Sequence, residues 1–188
     1  MTERFTLAAT LLLAAFPAPV ALAQGSGFTV TSTDVKDGAV LGTKQVYKGF
    51  GCTGENISPQ LSWKGAPAGT KSFAVTVYDP DAPTGSGWWH WVLYNLPATT
   101  TGLPAGAGDP AKKLLPPGAV QGRTDFGTPG FGGACPPHGD KPHRYVFTVF
   151  ALKTDKIDVP ADATAAMVGF NLNANKLASA SFTAKYGR

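Results

Sequence analysis

Charged residues are scarce in this chain of 188 residues: Lys, Arg, Asp and Glu make up 15% of it, whereas hydrophobic residues make up 43%. Low charge with many aromatic side chains excludes an intrinsically disordered regulator. The 16 Lys and Arg residues leave a net charge of only +4 and are scattered along the chain. The composition therefore predicts no nucleic-acid-binding stripe. Long hydrophobic runs are lacking after the N-terminal segment, so residues 24–188 are expected to contain no transmembrane segment.

The common signatures of catalysis are also missing from the sequence. We find no Gly-x-Ser-x-Gly nucleophile elbow, no phosphate-binding Walker loop and no His-Glu-x-x-His zinc motif. We therefore expect a protein that is not an enzyme and that carries no cofactor.

The N-terminal segment, residues 1–23, has the pattern of a cleaved secretory signal peptide. Arg4 supplies the positive charge, a short apolar stretch runs from Phe5 to Phe16, and Ala21-Leu22-Ala23 matches a cleavage site. The alternative, an N-terminal core helix, is disfavoured because the prolines that follow the stretch would break it. The sequence thus predicts an exported protein, periplasmic or secreted, whose single domain spans residues 24–188.

Cysteine is limited to Cys52 and Cys135, both downstream of the predicted signal peptide. Because an exported chain enters an oxidising compartment, the natural interpretation is a disulfide bond that closes a loop of about 83 residues. Two free buried thiols remain the alternative, since neither spacing nor composition determines their geometry.

Glycine and proline are abundant, at 23 and 16 residues, and 11 Phe, 5 Tyr and 4 Trp can build a core. This composition favours one mainly antiparallel, turn-rich β domain. Alternation of apolar residues predicts strands, and a helix is expected at 161–173 with Asp158 or Asp162 near its start. The predicted strands are 28–32, 44–48, 61–63, 72–78, 89–96, 144–152 and 179–186.

Polar side chains stand where the three strongest predicted strands begin or end. Asp79 and Asp81 follow the first, His90 opens the second, and His143 opens the third. Such a set is chemically adequate for a divalent metal site, for an acid/base pair, or for a small-anion pocket. A purely structural role is the fourth interpretation, because Asp-Pro-Asp-x-Pro is a good turn sequence.

Three blocks of the sequence together identify a family. The chain resembles the phosphatidylethanolamine-binding proteins, in particular their bacterial Raf-kinase-inhibitor-like branch. The blocks are Gly54–Pro59; Tyr78–Pro83 with Trp89–Val92 and Asn95–Pro97; and Gly122–Gly127 with Gly133–Asp140 and His143–Tyr145.

The resemblance implies a large antiparallel sheet packed on a smaller one, with one or two short helices near the C-terminus. It also implies a small cavity that takes phosphate, sulfate, acetate or a phosphorylated head group. Backbone N–H groups of Gly133, Ala134 and Cys135 are expected to cap the anion. The side chains expected to form the pocket are Asp79, Asp81, His90 and His143, with Tyr145 nearby and Pro83 and Trp88 at its entrance.

Carboxylates should repel such an anion, so the pocket needs a compensating charge. We expect an aspartate to pair with a histidine, favour the imidazolium form and orient its other N–H toward the ligand. Binding should then strengthen as the pH falls from about 8 to 6. A departure from the family is that the segment between Pro83 and Trp88 lacks the tyrosine common elsewhere, so one hydroxyl donor is missing.

The resemblance finally implies modulation of a partner protein, such as a protease or a kinase-like signalling enzyme. The alternative function is a metal-dependent or acid/base hydrolase that uses the same aspartates and histidines. A third class, a module that binds proteins through its exposed loops alone, predicts that changes in the pocket leave partner activity intact.

Overall fold

The computed structural model describes Met1 and residues 27–188; apart from Met1, the predicted signal peptide lies outside the described residues. Two short 3-10 helices, at Thr43–Gln45 and Pro110–Lys112, accompany the regular elements. These are β1 (Thr29–Thr31), β2 (Lys48–Gly49), β3 (Cys52–Thr53), β4 (Leu61–Lys64), β5 (Ser72–Asp79), β6 (Trp88–Pro97), β7 (Gly102–Leu103), β8 (Val120–Gln121), β9 (His143–Leu152), α1 (Ala165–Asn175) and β10 (Lys176–Tyr186).

The larger sheet has five antiparallel strands in the order β10-β9-β5-β6-β8. In its middle, Val77 of β5 pairs with Trp91 of β6 on one side and with Phe147 of β9 on the other. The smaller sheet has three strands in the order β1-β4-β7. The mainly β fold with a large and a small antiparallel sheet is therefore confirmed.

Both faces of the large sheet are covered, which explains why the central strands β5 and β6 are buried on both sides and rich in apolar residues. Phe73, Val75 and Val77 join the core that includes Leu61 and Trp63 of the small sheet. The opposite face packs against the helix in a second core, built from Ala74, Val92, Phe150, Leu152, Val168 and Leu172. The two faces thus belong to two separate cores, as expected for a sheet covered on both sides.

Two predicted elements differ from the structure. Residues 44–48 do not form one strand: the 3-10 helix Thr43–Gln45 leads into the two-residue strand β2. The helix begins at Ala165 rather than Ala161, and its N-cap is Thr164 instead of an aspartate. The Thr164 hydroxyl accepts a hydrogen bond from the N–H of Met167, which satisfies one of the free donors of the first turn. The remaining predicted strands are present with small changes in length.

A disulfide bond joins Cys52 and Cys135, at a separation of 83 residues. It connects the β2–β3 hairpin to the segment that precedes β9, and no free cysteine occurs among the described residues. Across residues 27–188, no helix is both long enough and apolar enough to span a membrane.

Candidate functional site

A cavity of about 220 Å³ opens at one edge of the large sheet. Because neighbouring strands are antiparallel, the end of β5 and the beginnings of β6 and β9 meet at this edge. The cavity is lined by Phe50, Asp79, Ala82, Pro83, Thr84, Trp88, His90, Phe126, Cys135, Pro136, Pro137, His143 and Tyr145. Its buried polar residues, which we call the floor, are Asp79, His90, His143 and Tyr145. Its apolar rim, which we call the mouth, is formed by Phe50, Pro83, Trp88, Phe126, Pro136 and Pro137.

The floor contains a buried aspartate–histidine pair. Oδ2 of Asp79 lies 2.7 Å from Nδ1 of His143, and both side chains are almost fully buried. The other oxygen of Asp79 accepts hydrogen bonds from the backbone N–H groups of Asp81 and Ala82, at 2.8 and 3.1 Å. One carboxylate therefore both anchors the turn after β5 and positions the imidazole of His143.

The second ring nitrogen of His143 is not free for a ligand in the way we predicted. Its Nε2 lies 3.4 Å from Oδ2 of Asp140, on a carboxylate whose side chain is 41% exposed. The imidazole thus stands between two carboxylates. The predicted aspartate–histidine pair is present, whereas the orientation of the other N–H toward the cavity is not.

His90 presents an unpartnered nitrogen at the cavity. The ring is buried, and its Nδ1 lies 2.8 Å from the carbonyl oxygen of Gly132 and 3.1 Å from that of Gly133. Since carbonyl oxygens only accept, Nδ1 carries the proton and donates it to them. Nε2 has no hydrogen-bond partner among residues 27–188.

Burial lowers the pKa of His90 below its ordinary value, although the two carbonyls and the charge of Asp79 oppose the shift. The neutral form therefore prevails at pH 7, with an acceptor lone pair on Nε2. When the ring is protonated, the same nitrogen becomes a charged donor, so the site can exchange one role for the other as the pH changes.

Tyr145 supplies a hydroxyl that the protein itself does not use. The residue is 1% exposed, and within the described part of the chain its hydroxyl has no hydrogen-bond partner. Burial, together with the negative charge of Asp79, raises the pKa of the phenol far above its ordinary value. The O–H group therefore stays protonated and can donate to a ligand. Leaving such a group buried and unpaired is unfavourable, which is an arrangement expected where a ligand completes the bonding.

The mouth combines three aromatic residues with three prolines. Phe126 is at its centre: its ring centroid lies 5.8 Å from that of Phe50, 5.4 Å from Trp88 and 5.3 Å from His90. Tyr47 supports it from behind at 4.4 Å. The rim can therefore exclude water around a bound group and raise the strength of the polar contacts at the floor.

Asp81 was predicted to form the pocket, and the structure places it outside. Its carboxylate makes a bidentate pair with the Arg144 guanidinium, at 2.9 Å to Nε and 2.7 Å to Nη2, and also accepts from the Arg144 backbone N–H. These bonds to Arg144 lower the pKa of Asp81 to about 2. The residue lines an outer, charged groove instead, because the turn after β5 directs alternate carboxylates to opposite sides.

The predicted cap of backbone donors is also absent for Gly133 and Ala134. The Gly133 N–H donates to Oδ1 of Asn56 at 2.7 Å, and the Ala134 N–H donates to the Gln45 carbonyl at 3.0 Å. A Cβ atom at Gly133 would lie 2.3 Å from that same carbonyl oxygen, so only glycine allows this approach. Both residues hold the loop against the hairpin region, and of the three only Cys135 lines the cavity.

Several lining residues were not predicted. Ala82 and Thr84 flank the predicted Pro83, while Phe126, Pro136 and Pro137 stand inside sequence blocks that carried the resemblance. The position of Phe126, Pro136 and Pro137 in those blocks could have indicated that they belong to the site. No sequence signal pointed to Phe50, which reaches the mouth from a hairpin elsewhere in the chain.

The donor set does not form a metal centre in this geometry. Among residues 27–188, no group of three or more His, Cys, Asp or Glu side chains converges as ligands. The reason is visible in the two aspartates, since Asp79 is bonded to His143 and the turn, and Asp81 is bonded to Arg144.

Comparison with known proteins identifies relatives of this chain. The family model for phosphatidylethanolamine-binding protein matches residues 31–187. The UPF0098 protein YbcL of Escherichia coli K12 is 62% identical over 164 residues, covering 87% of this chain and 90% of the relative. The UPF0098 protein YbhB of the same organism is 56% identical over 155 residues, covering 82% of this chain and 97% of the relative.

Solved structures show the same fold. The crystal structure of Escherichia coli YbcL, described as a new member of the mammalian PEBP family, has a TM-score of 0.84 and 61% identity, covering 86% of this chain and 98% of that one. The putative phosphatidylethanolamine-binding protein homologue CT736 of Chlamydia trachomatis has a TM-score of 0.71 and 29% identity, covering 87% and 99%.

Proposed function

The chain belongs to the phosphatidylethanolamine-binding protein family, and on that premise we propose that its cavity binds small anionic or phosphorylated ligands. One observation carries the proposal: a buried Tyr145 hydroxyl, with no hydrogen-bond partner in the described part of the chain, lies at the floor of a cavity of about 220 Å³. A phosphoryl or sulfate oxygen is an acceptor that this donor lacks.

The charges at the floor set the condition for binding. Asp79 is held in a buried pair with His143 at 2.7 Å. His90 becomes a cation at the cavity when it takes up a proton at Nε2. Since an anion stabilises that imidazolium, its binding should draw in a proton and raise the pKa of His90 from its lowered value.

The decisive experiment removes the unpaired hydroxyl alone. Tyr145→Phe should weaken the binding of phosphate and phosphoethanolamine about tenfold, the usual worth of a hydrogen bond to a charged group. The fold should remain intact, because the O–H group donates to no other group within residues 27–188. The measurements are an NMR titration and thermal unfolding.

Tyr94→Phe is the matched control, since Tyr94 is buried in the same sheet but does not line the cavity. It should bind both ligands as the wild type does. Equal affinity in wild type and Tyr145→Phe, or no saturable binding to the wild type, would contradict the proposal.

We further propose binding without turnover. A covalent mechanism needs a free nucleophile, but the Thr84 hydroxyl donates to the Gly87 carbonyl and Cys135 is in the disulfide. The unpartnered Nε2 of His90 is the remaining candidate, as a base that would activate water, and the assay tests it. Incubation with a phosphate monoester should release no inorganic phosphate above the rate of a Tyr145→Phe, His90→Asn double variant. Release that this variant abolishes would establish the hydrolase alternative.

The signal-peptide pattern leads us to propose export, with processing after Ala23. Mass spectrometry of the protein recovered from the periplasm or medium of a bacterial host should show a chain that begins at Gln24. In keeping with the family, we propose that the ligand-bound state modulates a partner such as a protease or a signalling enzyme. The Tyr145→Phe variant should then lose the effect of added ligand on that partner.

A further inference from the structure

We propose that Arg188 and Phe50 form a device that limits the size of the ligand; the inference rests on the proposed function. Phe50 lies at the tip of the β2–β3 hairpin and lines the cavity mouth, where its side chain is 67% exposed. Arg188 holds that hairpin against the segment that contains Pro136, which also lines the mouth. Neither residue was expected to contribute to the site.

The backbone at the hairpin tip is unfavourable for the residue that occupies it. Lys48 pairs with Thr53 and Gly49 with Cys52, which leaves Phe50 and Gly51 as a two-residue turn. Both have positive φ angles, 51° and 78°, as in a type I′ turn. Such turns favour Asn, Asp or Gly at the first position, and an aromatic residue there is locally strained. The surrounding structure must therefore hold Phe50 in place.

The Arg188 guanidinium provides that hold. Its Nε donates to the Pro136 carbonyl at 2.7 Å, its Nη1 to the Gly51 carbonyl at 3.0 Å and its Nη2 to the Phe50 carbonyl at 3.4 Å. Pro136 and Phe50 both line the mouth, on two neighbouring segments that we call its walls. The rigid fork of arginine thus ties the two walls together, which a flexible ammonium group could not do in the same geometry.

Two further contacts determine where the Phe50 ring lies. It stacks on Phe126 at 5.8 Å with an interplanar angle of 24° and packs against Tyr47 at 5.5 Å. The Cys52–Cys135 disulfide crosslinks the same two walls beside the guanidinium. With the ring and both walls restrained, the mouth has little freedom to widen, so a wide substituent on the phosphoryl group should be excluded.

The test compares a narrow and a wide anion: inorganic phosphate and cyclohexyl phosphate, whose ring cannot stack as an aromatic group does. Calorimetry gives the ratio of the two affinities for the oxidised full chain. Arg188→Ala and Phe50→Ala should each shift this ratio toward cyclohexyl phosphate by about fivefold or more. The double variant should shift it little further than either change alone, because both act on one structural element.

The control is Arg123→Ala, which removes a guanidinium of an exposed side chain that makes no hydrogen bond among residues 27–188. It should leave the ratio unchanged. A shift as large as that of Arg188→Ala would attribute the effect to net charge and overturn the inference.

The remaining outcomes are also decisive. An unchanged ratio in Arg188→Ala and Phe50→Ala, with phosphate still bound, would overturn the inference and leave the proposed function standing. If the wild type binds neither anion, both fail together. Should Arg188→Ala prove too unstable to assay, the exposed Phe50→Ala variant decides the question by itself.

Discussion

The floor and the mouth of the cavity are built by opposite means. The floor lies on strand ends, and its side chains are buried and oriented by hydrogen bonds as short as the 2.7 Å between Asp79 and His143. Apart from Trp88, which begins β6, the mouth lies on loops and turns, where rings and prolines are held by packing, the disulfide and Arg188. The floor supplies the polar groups that can bond a ligand, while the mouth limits the space that the ligand can occupy.

Many binding sites likewise place their polar contact groups on rigid strands and their selectivity on loops. Groups on a rigid sheet keep their geometry, whereas loops can change without disturbing the core. We therefore expect changes to the paired floor residues Asp79 and His143 to affect stability and anion binding together. Changes at the mouth should affect the choice of ligand more than the existence of binding.

The largest effect is expected at the floor, from Asp79→Ala. The change leaves His143 buried without its partner and releases the turn after β5, and breaking a buried pair of this kind typically costs about 4 kcal/mol. Urea unfolding at pH 7 would measure the loss. Asp140→Ala removes the exposed carboxylate on the same imidazole and should cost less than about 1 kcal/mol. Equal losses of unfolding free energy in the two variants would show that the buried and the exposed carboxylate contribute equally to stability.

The disulfide tests how far the mouth contributes to stability. Replacing both Cys52 and Cys135 by serine should lower the free energy of unfolding by about 3 kcal/mol, since the unfolded chain gains the freedom of an 83-residue loop. Phosphate should still bind, because the hydrogen bonds of the floor do not involve the sulfurs. Loss of all binding in a folded double-serine variant would show that floor and mouth are one unit.

The pH dependence sharpens the view of the floor. Burial lowers the pKa of His90 in the free protein, and a bound anion should raise it again, so binding takes up a proton. Affinity for sulfate, an anion whose own charge is constant between pH 5 and 8, should increase up to about tenfold per pH unit on acidification. The increase in affinity should level off at pH values below the pKa of His90 in the ligand-free protein. In His90→Asn the slope should be smaller, and an unaltered slope would assign the proton to another group.

The smallest effect is expected at Asp81, although it belongs to the same turn as Asp79. Its pair with Arg144 is partly exposed, with side-chain exposures of 31% and 54%, so solvent screens it. Asp81→Asn should cost less than about 1 kcal/mol and leave phosphate affinity unchanged. If calorimetry showed that Asp81→Asn lowers phosphate affinity tenfold, Asp81 would have to be counted among the ligand-binding residues of the floor.

Much of this molecule could be predicted from residue patterns. The strong strands β5, β6 and β9 follow from apolar runs bounded by turn residues. The Cys52–Cys135 bond was predicted because a signal-peptide pattern implies an oxidising compartment. The residues at the ends of those strands correctly indicated where polar groups converge. Asp79, His90 and His143 all line the cavity, as does Tyr145.

Other features could not be predicted because they depend on contacts between distant parts of the chain. Whether the N–H groups of Gly133 and Ala134 are free is decided by Asn56 and Gln45, which lie far away in sequence. The start of α1 shifted because the Thr164 side chain competed successfully as a cap with the nearby aspartates.

The sequence by itself determined the local choices: alternation set the strands, turn residues set where they end, and the motifs set which polar groups stand at those ends. Only the tertiary structure decided the partners. Sheet register brings Asp79 to His143 across 64 residues and Asp81 to Arg144 across 63, on opposite sides of one turn. Arg188 reaches Phe50 across 138 residues to shape the mouth. Local patterns act through backbone preference over a few residues, whereas the role of each carboxylate and ring depends on which distant group the packed chain places beside it.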